Sequence, residues 1–229
     1  MNKQDKNGVG WCDTTWNPIT GCKNTCFFCY ARKIATRFKG SKAFPNGFEP
    51  TFHWNRLSQP MKLKRPSKIF VCSMGELFGN WVRKDWVEEV FNSIQQSPQH
   101  IFQILTKYPQ NIKKFILGIP DNVWLGITIT GKESEKEQIS MSYSLKKIDA
   151  KVRFVSFEPL LDMPFGREYL NVMNWVIIGG LTPINVHRKE WIDKILEDAK
   201  GIPVFIKRNA HYPIIRKEFP FGSIPLGNH

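Results

Sequence analysis

Seven short runs of apolar residues constrain the fold of this chain more than any other feature of its sequence. They cover residues 15–20, 68–73, 100–106, 123–130, 152–157, 175–180 and 203–207. Within them β-branched and aromatic residues follow one another almost without a break, whereas a strand with one solvated face alternates apolar and polar residues. The runs therefore predict parallel strands that are buried on both faces.

Patterns typical of helices fill the intervals between the runs. They cover residues 31–38, 87–94, 112–116, 133–148 and 191–199. Asp85 and Glu88 have the spacing of a capping box at the start of the second pattern. Strands that alternate with helices predict one α/β domain over residues 1–229. An open doubly wound sheet and a partial (β/α) barrel both fit this order, because periodicity alone does not separate them.

Composition excludes several classes of protein. No apolar run reaches the roughly 18–20 residues that a membrane-spanning helix needs, and residues 1–10 lack the apolar core of a secretory signal. Five cysteines are too few for a disulfide framework in a chain of 229 residues, so we expect the reducing cytoplasm as the compartment. The formal net charge of +13 favours contact with a polyanion.

Three of the five cysteines form a cluster with the spacing C-x3-C-x2-C. Cys22, Cys26 and Cys29 lie just after the first predicted strand and before the first predicted helix. Three thiolates can hold three irons of a [4Fe–4S] cube and leave the fourth iron open to another ligand. A zinc site usually needs four protein ligands, for which Cys12 or His53 would have to be added. Unligated thiols are a third interpretation.

The residues around the last cysteine complete a recognisable signature. With Phe28 before Cys29 and Tyr30 after it, the motif resembles that of the radical S-adenosylmethionine (SAM) superfamily. The resemblance implies a [4Fe–4S] cluster on Cys22, Cys26 and Cys29 that binds SAM through its open iron. It also implies an external one-electron reductant, reductive cleavage of SAM and abstraction of hydrogen from a substrate. Phe28 and Tyr30 would then shape the adenine side of the SAM site.

The resemblance extends over most of the chain. Residues 15–22, 104–107, 155–161 and 175–180 are similar to an uncharacterised, bacteriophage-associated branch of that superfamily. Members of this branch usually have a longer spacing between the first two cysteines, so this chain departs from them toward the commoner superfamily spacing. With the resemblance, we expect a partial (β/α) barrel of about six to seven mainly parallel strands, with the cluster loop after the first strand.

Polar residues and glycines at the ends of the predicted strands are further candidates for binding SAM or substrate, because parallel strands bind ligands at their carboxyl ends. These candidates are Ser73, Gly75, Glu76, Thr128, Ser156, Glu158, Gly179 and Gly180. Residues 73–76 are similar to the Gly-Gly-Glu element that binds the SAM amino group in the superfamily; a solvated turn is the alternative.

Two strand ends allow more than one interpretation. We expect Glu158 to hold the ribose hydroxyls of SAM or a substrate amine, or else to form an ion pair with Lys107 or Lys207. Gly179 and Gly180 remove side chains where a ligand could approach the backbone, although a plain turn would also use them.

A stretch rich in basic and aromatic residues runs over 30–68, and its part from 39 to 66 is predicted to be a long irregular loop. Cations that follow phosphates, together with rings that stack on bases, are typical of proteins that bind single strands or extruded nucleotides. The stretch therefore predicts nucleic acid as a partner. Alternatively, the rings anchor the loop to the core and the cations are simply solvated. No helix pattern combines a basic face with a broad apolar one, which argues against a membrane surface.

Two functions from different classes follow. The first is a radical SAM enzyme that acts on a substrate such as a nucleotide or nucleic acid. The second is a non-catalytic nucleic-acid-binding module that a zinc or iron–sulfur site stabilises; it predicts that Cys12 lies within ligand distance of the three clustered cysteines. A thiol-redox protein is a weaker hypothesis, because Cys26 and Cys29 would form its C-x-x-C pair and leave Cys22 unexplained.

Overall fold

A computed structural model describes residues 1–4, 8–184 and 186–220 of the chain. Its elements are β1 Asn2–Lys3, β2 Thr14–Trp16, β3 Ile19–Thr20, α1 Tyr30–Arg37, β4 Thr51–Phe52, β5 Lys68–Val71, α2 Lys84–Gln95, β6 Ile101–Thr106, α3 Ile112–Phe115, β7 Val123–Ile129, α4 Glu135–Lys146, β8 Val152–Phe157, β9 Trp175–Ile178, α5 Lys189–Asp198 and β10 Val204–Ile206. The end of the domain predicted over 1–229 lies at residues 221–229, outside the described residues.

The main sheet has eight strands in the order β1-β2-β5-β6-β7-β8-β9-β10. Strands β2 and β5 to β10 are parallel to one another, and the short edge strand β1 runs antiparallel to β2. Each of the seven predicted runs contains a strand. The sheet order does not pair β1 with β10, so the barrel is partial. The predicted α/β fold is confirmed, with one more strand in the main sheet than expected.

The helices cover the outer face of the sheet. Alternate strand residues such as Ile69, Ile104 and Ile127 point outward and pack against apolar faces of the helices, including Val90 and Ile192. Burying such a side chain contributes roughly 1.5–3 kcal/mol, so this layer provides much of the stability of the fold. In the described part of the chain, no helix has both the length and the apolar character that crossing a membrane requires.

One helix terminus differs from the prediction. The side chains of Asp85 and Glu88 form no capping box: α2 begins after Arg83 without a side-chain cap, and Asp85 instead pairs with Arg83 at 2.7 Å. A capping box is present at α4, where Ser134 and Glu137 bond each other's backbone amides. This cap helps α4, whose apolar stripe is weak, to begin at a defined residue.

The inner face of the sheet carries an aromatic cluster near the amino ends of the strands. The cluster, called here the aromatic floor, consists of Trp11, Trp124, Phe154, Trp175 and Phe205 with Phe70 and Phe219 packed against it. The ring of Trp11 lies 4.6 Å from that of Phe70 and 6.1 Å from those of Phe154 and Trp175, so it spans the inside of the partial barrel. The aromatic floor therefore fills this end of the barrel.

The stretch between residues 39 and 66 is largely irregular, but a second, two-stranded sheet ties it to the residues that follow β2. Its strand β4 pairs antiparallel with β3, and short 3-10 turns follow at Trp54–Arg56 and Pro60–Lys62. Both β3 and β4 have only two residues, which is too short to leave a periodic pattern in the sequence. The pairing holds this stretch beside the loop that follows β3.

Candidate active site

The three clustered cysteines lie on the loop between β3 and α1, at the carboxyl side of the sheet. All three are free and half-buried. The Sγ of Cys22 accepts a hydrogen bond from the backbone N–H of Asn24, and the Sγ of Cys29 accepts one from that of Arg32, both at 3.3 Å. Cys29 is thereby also the N-cap of α1. The local chain thus directs backbone donors at two of the sulfurs.

The surroundings of Cys22 disfavour its thiolate form. Burial is the main cause that raises the pKa of Cys22 to about 12, and the nearby charges of Glu76, Cys26 and Cys29 raise it further. A cation is therefore needed to hold this group as a thiolate, as metal ligation does. Half-buried thiols on one loop, with N–H donors to their sulfurs, fit an iron–sulfur cluster.

A site for a single metal ion does not fit as well. Among the residues that the structure describes, no three histidine, cysteine, aspartate or glutamate side chains come together to hold one ion. Cys12, the proposed fourth zinc ligand, is instead buried against Trp11 in the aromatic floor. His53 is also buried, and its Nε2 lies 2.8 Å from Thr20 Oγ1. A cube places each thiolate on its own iron, so it does not require the sulfurs to converge on one point.

The loop that follows β5 packs directly against the cysteine loop. The amide of Gly21 donates to the carbonyl of Met74 at 2.9 Å, and a Cβ at Gly75 would come within 3.0 Å of the carbonyl oxygen of Gly21. Ser73 is fixed by its hydroxyl, which bonds Asn17 Oδ1 at 3.2 Å. The structure therefore places Ser73 and Gly75 beside the cysteine loop.

Tyr30 links the two loops. Its hydroxyl donates to the carbonyl oxygen of Ser73 at 2.7 Å, and its surface is 53% exposed. Burial of the hydroxyl, and to a smaller extent the charge of Glu158, raise the pKa of Tyr30. The ring of Tyr30 is thus open to solvent while its hydroxyl is surrounded by protein at the contact between the two loops. Phe28, the other predicted aromatic, is half-buried and packs edge-on against Phe27.

Glu76 is held by hydrogen bonds within the protein, and its expected role in binding SAM stays a prediction. Its carboxylate is buried and accepts hydrogen bonds from Thr106 Oγ1 at 2.7 Å and from the amides of Phe78 and Lys107 at 3.1 Å. Burial raises the pKa of Glu76. With three donors already bound to its two oxygens, this side chain joins the ends of β5 and β6.

An ion pair lies at the carboxyl ends of β8 and β10. Glu158, just after β8, bonds the ammonium of Lys207, just after β10, and their side chains are 26% and 14% exposed. Of the two lysines that we considered as ion-pair partners of Glu158, Lys207 is the one that pairs with it. A Cβ at Gly179 would lie 2.9 Å from Glu158 Cδ, so this glycine makes room for the glutamate.

Both glycines pack closely against the protein, and their expected contact with a ligand stays a prediction. Protein occupies the space next to each of them. Glu158 fills it at Gly179, and at Gly180 a Cβ would meet the carbonyl oxygen of Asn209 at 2.4 Å. The carbonyl of Gly180 in turn accepts from Asn209 Nδ2 at 2.7 Å.

Polar groups without protein partners remain on the inner face. Ser156 lies opposite Thr128 in the register of β7 and β8, and both side chains point inward. In the part of the chain that the structure describes, Ser156 Oγ and Gln103 Oε1 are buried without a hydrogen-bond partner. A buried polar atom of this kind fits a site that a bound polar molecule or water completes.

Sequence reasoning missed three residues that organise the site. Asn17 accepts from the amide of Met74 at 2.9 Å. Tyr108 donates to Asn24, and Arg32 donates to the carbonyl oxygens of Cys22 and Asn24. The alternation along β2 places Asn17 on the same face as Thr15, which is the one signal that could have identified it.

Comparison with solved structures supports the architecture. A spore photoproduct lyase mutant has a TM-score of 0.55 and 11% identity over 90% of this chain and 79% of that chain. A second mutant, with bound AdoMet and dinucleoside spore photoproduct, has a TM-score of 0.51 and 11% identity over 82% of this chain. This chain spans only 61% of that second structure. At such identities the similarity shows a shared fold, the partial barrel.

Comparison with sequences identifies the family. No curated protein matches this chain. A family model described as "Protein of unknown function (DUF5131)" matches residues 6–217, which is nearly the whole sequence. The chain therefore belongs to the DUF5131 family.

Proposed function

We propose that this protein is a radical SAM enzyme, in which Cys22, Cys26 and Cys29 hold a [4Fe–4S] cluster. The observation that carries the proposal is the C-x3-C-x2-C loop at the carboxyl side of a partial barrel, with backbone N–H groups donating to two of its sulfurs. Held by these three thiolates and reduced by an external one-electron donor, the cluster would pass one electron to bound SAM, and the radical fragment released from SAM would take hydrogen from the substrate.

The residues of this chain would bind and orient the reactants. The backbone carbonyls of the loop after β5, at Ser73 and Gly75, lie beside the cysteines and can accept from the ammonium of SAM. Thr128, Ser156 and Glu158 supply polar groups on the facing wall, and Ser156 Oγ is free to bond a ligand. Phe28 and Tyr30 lie next to Cys29 and would contact the adenine.

Exclusion of water and oxygen is the second task of the protein. The aromatic floor fills the barrel near the amino ends of the strands, and its Trp11 and Trp175 are at most 1% exposed. A closed apolar base keeps solvent away from the inner face, which protects a reactive intermediate.

We propose a nucleotide or nucleic acid as the substrate. One similar structure binds a dinucleoside, and the net charge of +13 favours an anionic substrate. We place the protein in the reducing cytoplasm, since all five cysteines are free. The matching stretches of sequence support its assignment to the bacteriophage-associated branch of the superfamily.

The test is anaerobic reconstitution with iron and sulfide, followed by addition of dithionite and SAM and detection of 5′-deoxyadenosine. We expect product from the wild-type protein and none from Cys26→Ala, whose side chain makes no other bond described above. The matched control is Cys12→Ala, which should keep both the cluster and the product. A colourless protein that binds one zinc per chain, loses it in Cys12→Ala and forms no 5′-deoxyadenosine would instead establish the non-catalytic module.

A further inference from the structure

The positive charge of the molecule is concentrated in one part of the chain. Residues 23–68, called here the basic segment, contain eleven lysine and arginine residues and a single acidic residue, Glu49. The whole chain has 33 basic and 20 acidic residues. Most of the excess therefore lies in about a fifth of the sequence.

Among the described residues, the cations of the basic segment form no ion pairs, although the charge of Asp13 acts on the buried Lys68. The ion pairs of the described residues all involve positions from Arg83 onward, and none includes a residue of the basic segment. Lys33, Arg37 and Lys42 are exposed on α1 and the loop after it. Uncompensated cations on a folded surface produce a positive potential that attracts a polyanion.

Exposed aromatic rings lie among these cations, and their positions are fixed. Trp54 is 62% exposed, and its ring packs edge-on against Phe52 at 4.7 Å, which in turn stacks on Trp86 at 5.5 Å. Phe38 is 50% exposed, with the guanidinium of Arg37 over its ring at 5.5 Å. Rings held from one side and open on the other can stack on bases of any sequence.

The part of the basic segment that follows α1 packs against the cysteine loop. The amide of Cys22 donates to the carbonyl of Phe48 at 3.1 Å, and a Cβ at Gly21 would lie 2.4 Å from the carbonyl oxygen of Glu49. Arg32 lies over the ring of Phe48 at 4.7 Å and also bonds the carbonyl of Cys22. A ligand on the basic segment is thus bound next to the candidate active site.

From these observations we propose that the basic segment is a binding surface for single-stranded nucleic acid. Trp54 and Phe38 stack on bases, and the lysines and arginines contact phosphates. Only the further step, delivery of the strand to the active site, rests on the proposed function. Charge alone would also suit an acidic protein electron carrier, but an electron carrier has no need of exposed, buttressed rings.

The experiment measures binding of a fluorescent 20-nucleotide oligo(dT) by the reconstituted holoprotein over a series of salt concentrations, without SAM. We expect Trp54→Ala to weaken binding about tenfold or more, because a stacked base is lost. The triple variant Lys33→Gln/Arg37→Gln/Lys42→Gln should weaken binding and make the slope of log K against log [salt] shallower by about 2, since each phosphate contact on a single strand contributes roughly 0.7.

The matched control removes the same number of exposed cations elsewhere, in Lys113→Gln/Lys114→Gln/Lys136→Gln, and should leave the slope nearly unchanged. Thermal unfolding of each variant checks that it is folded. Three results would overturn the proposal: equal losses in both triple variants, duplex DNA bound as tightly as oligo(dT) with no effect of Trp54→Ala, or binding of a flavodoxin-type acidic carrier in place of the oligonucleotide. Because binding is measured without SAM, a failure of SAM cleavage would refute the enzyme and leave this result standing.

Discussion

Glu158 and Lys207 illustrate what single residues contribute to the site. Alternation along β8 and β10 places both on the inner face, together with Ser156 and Phe205. Their pairing joins positions 49 residues apart and forms the wall that faces Tyr30. Lys107, the other candidate partner, gives its backbone N–H to Glu76 instead.

Loss of the lysine should therefore destabilise the protein. Lys207→Met leaves the carboxylate of Glu158 partly buried and unpaired, and we expect the free energy of unfolding to fall by about 1–2 kcal/mol. Lys132→Met is the matched control, because Lys132 and its partner Asp162 are largely exposed; it should cost about 0–1 kcal/mol. Urea unfolding measures both, and equal losses would contradict a special role of the Glu158–Lys207 pair.

The limits of sequence reasoning are clear at this scale. The three cysteines could be singled out because their spacing is itself the signal. The partners of Glu76 and Gly180 could not, because they come from other strands and turns, and no local pattern records which side chain fills a given space. The structure shows these partners, Thr106 for Glu76 and Asn209 for Gly180, which no pattern in the sequence indicated.

At the scale of elements, the sequence predicted the long strands well and the short ones poorly. The runs at 123–130 and 152–157 became β7 and β8 nearly residue for residue, because a strand buried on both faces must be apolar throughout. The first run, 15–20, is divided into β2 and β3 by Asn17 and Pro18. Two-residue strands such as β1 and β4 depend on tertiary pairing and leave no pattern.

The β3–β4 pair gives a prediction about pH. His53, next to β4, is buried, and burial together with the charge of Arg56 lowers its pKa to about 4. The unfolded chain binds a proton at His53 near pH 6.5, whereas the folded chain does so only near pH 4. Because the unfolded state binds more protons in this window, this contribution to stability is present above pH 6.5 and is lost as the pH falls toward 4.

Comparison with His53→Gln isolates the effect from other titrating groups such as His100. We expect the urea midpoint of the wild type to fall relative to that of His53→Gln when the pH is lowered from 7 to 5. A difference that does not change over this range would show that His53 is not held neutral in the folded protein.

For the molecule as a whole, the sheet separates two cores with different tasks. The outer core joins strands to helices, and the inner aromatic floor supports the candidate site. The cysteine loop belongs to neither of these cores: Cys22 and Cys29 pack against a third, small cluster formed by Ala31, Ala35 and Phe48. Since none of these contacts joins the three thiols to one another, a bound cluster should add stability that the apoprotein lacks.

Cluster loading should consequently raise the melting temperature. We expect the anaerobically reconstituted protein to unfold about 5–10 °C above the apoprotein, which corresponds to roughly 2–3 kcal/mol in a chain of this size. Cys26→Ala should show no such gain, while Cys12→Ala should retain it. Identical melting of the loaded and apo wild-type proteins would mean that the three thiols do not hold a cluster together.

The aromatic floor also restricts how a long substrate can be handled. Because Trp11 and its neighbours fill the inner face near the amino ends of the strands, the candidate site is approached, in the described part of the chain, from the side where the strands end. A polymer therefore cannot pass through the barrel from one end to the other. With a nucleic acid as the proposed substrate, we expect the reacting nucleotide to flip out of its strand, to enter the site from this side and to leave by the same route.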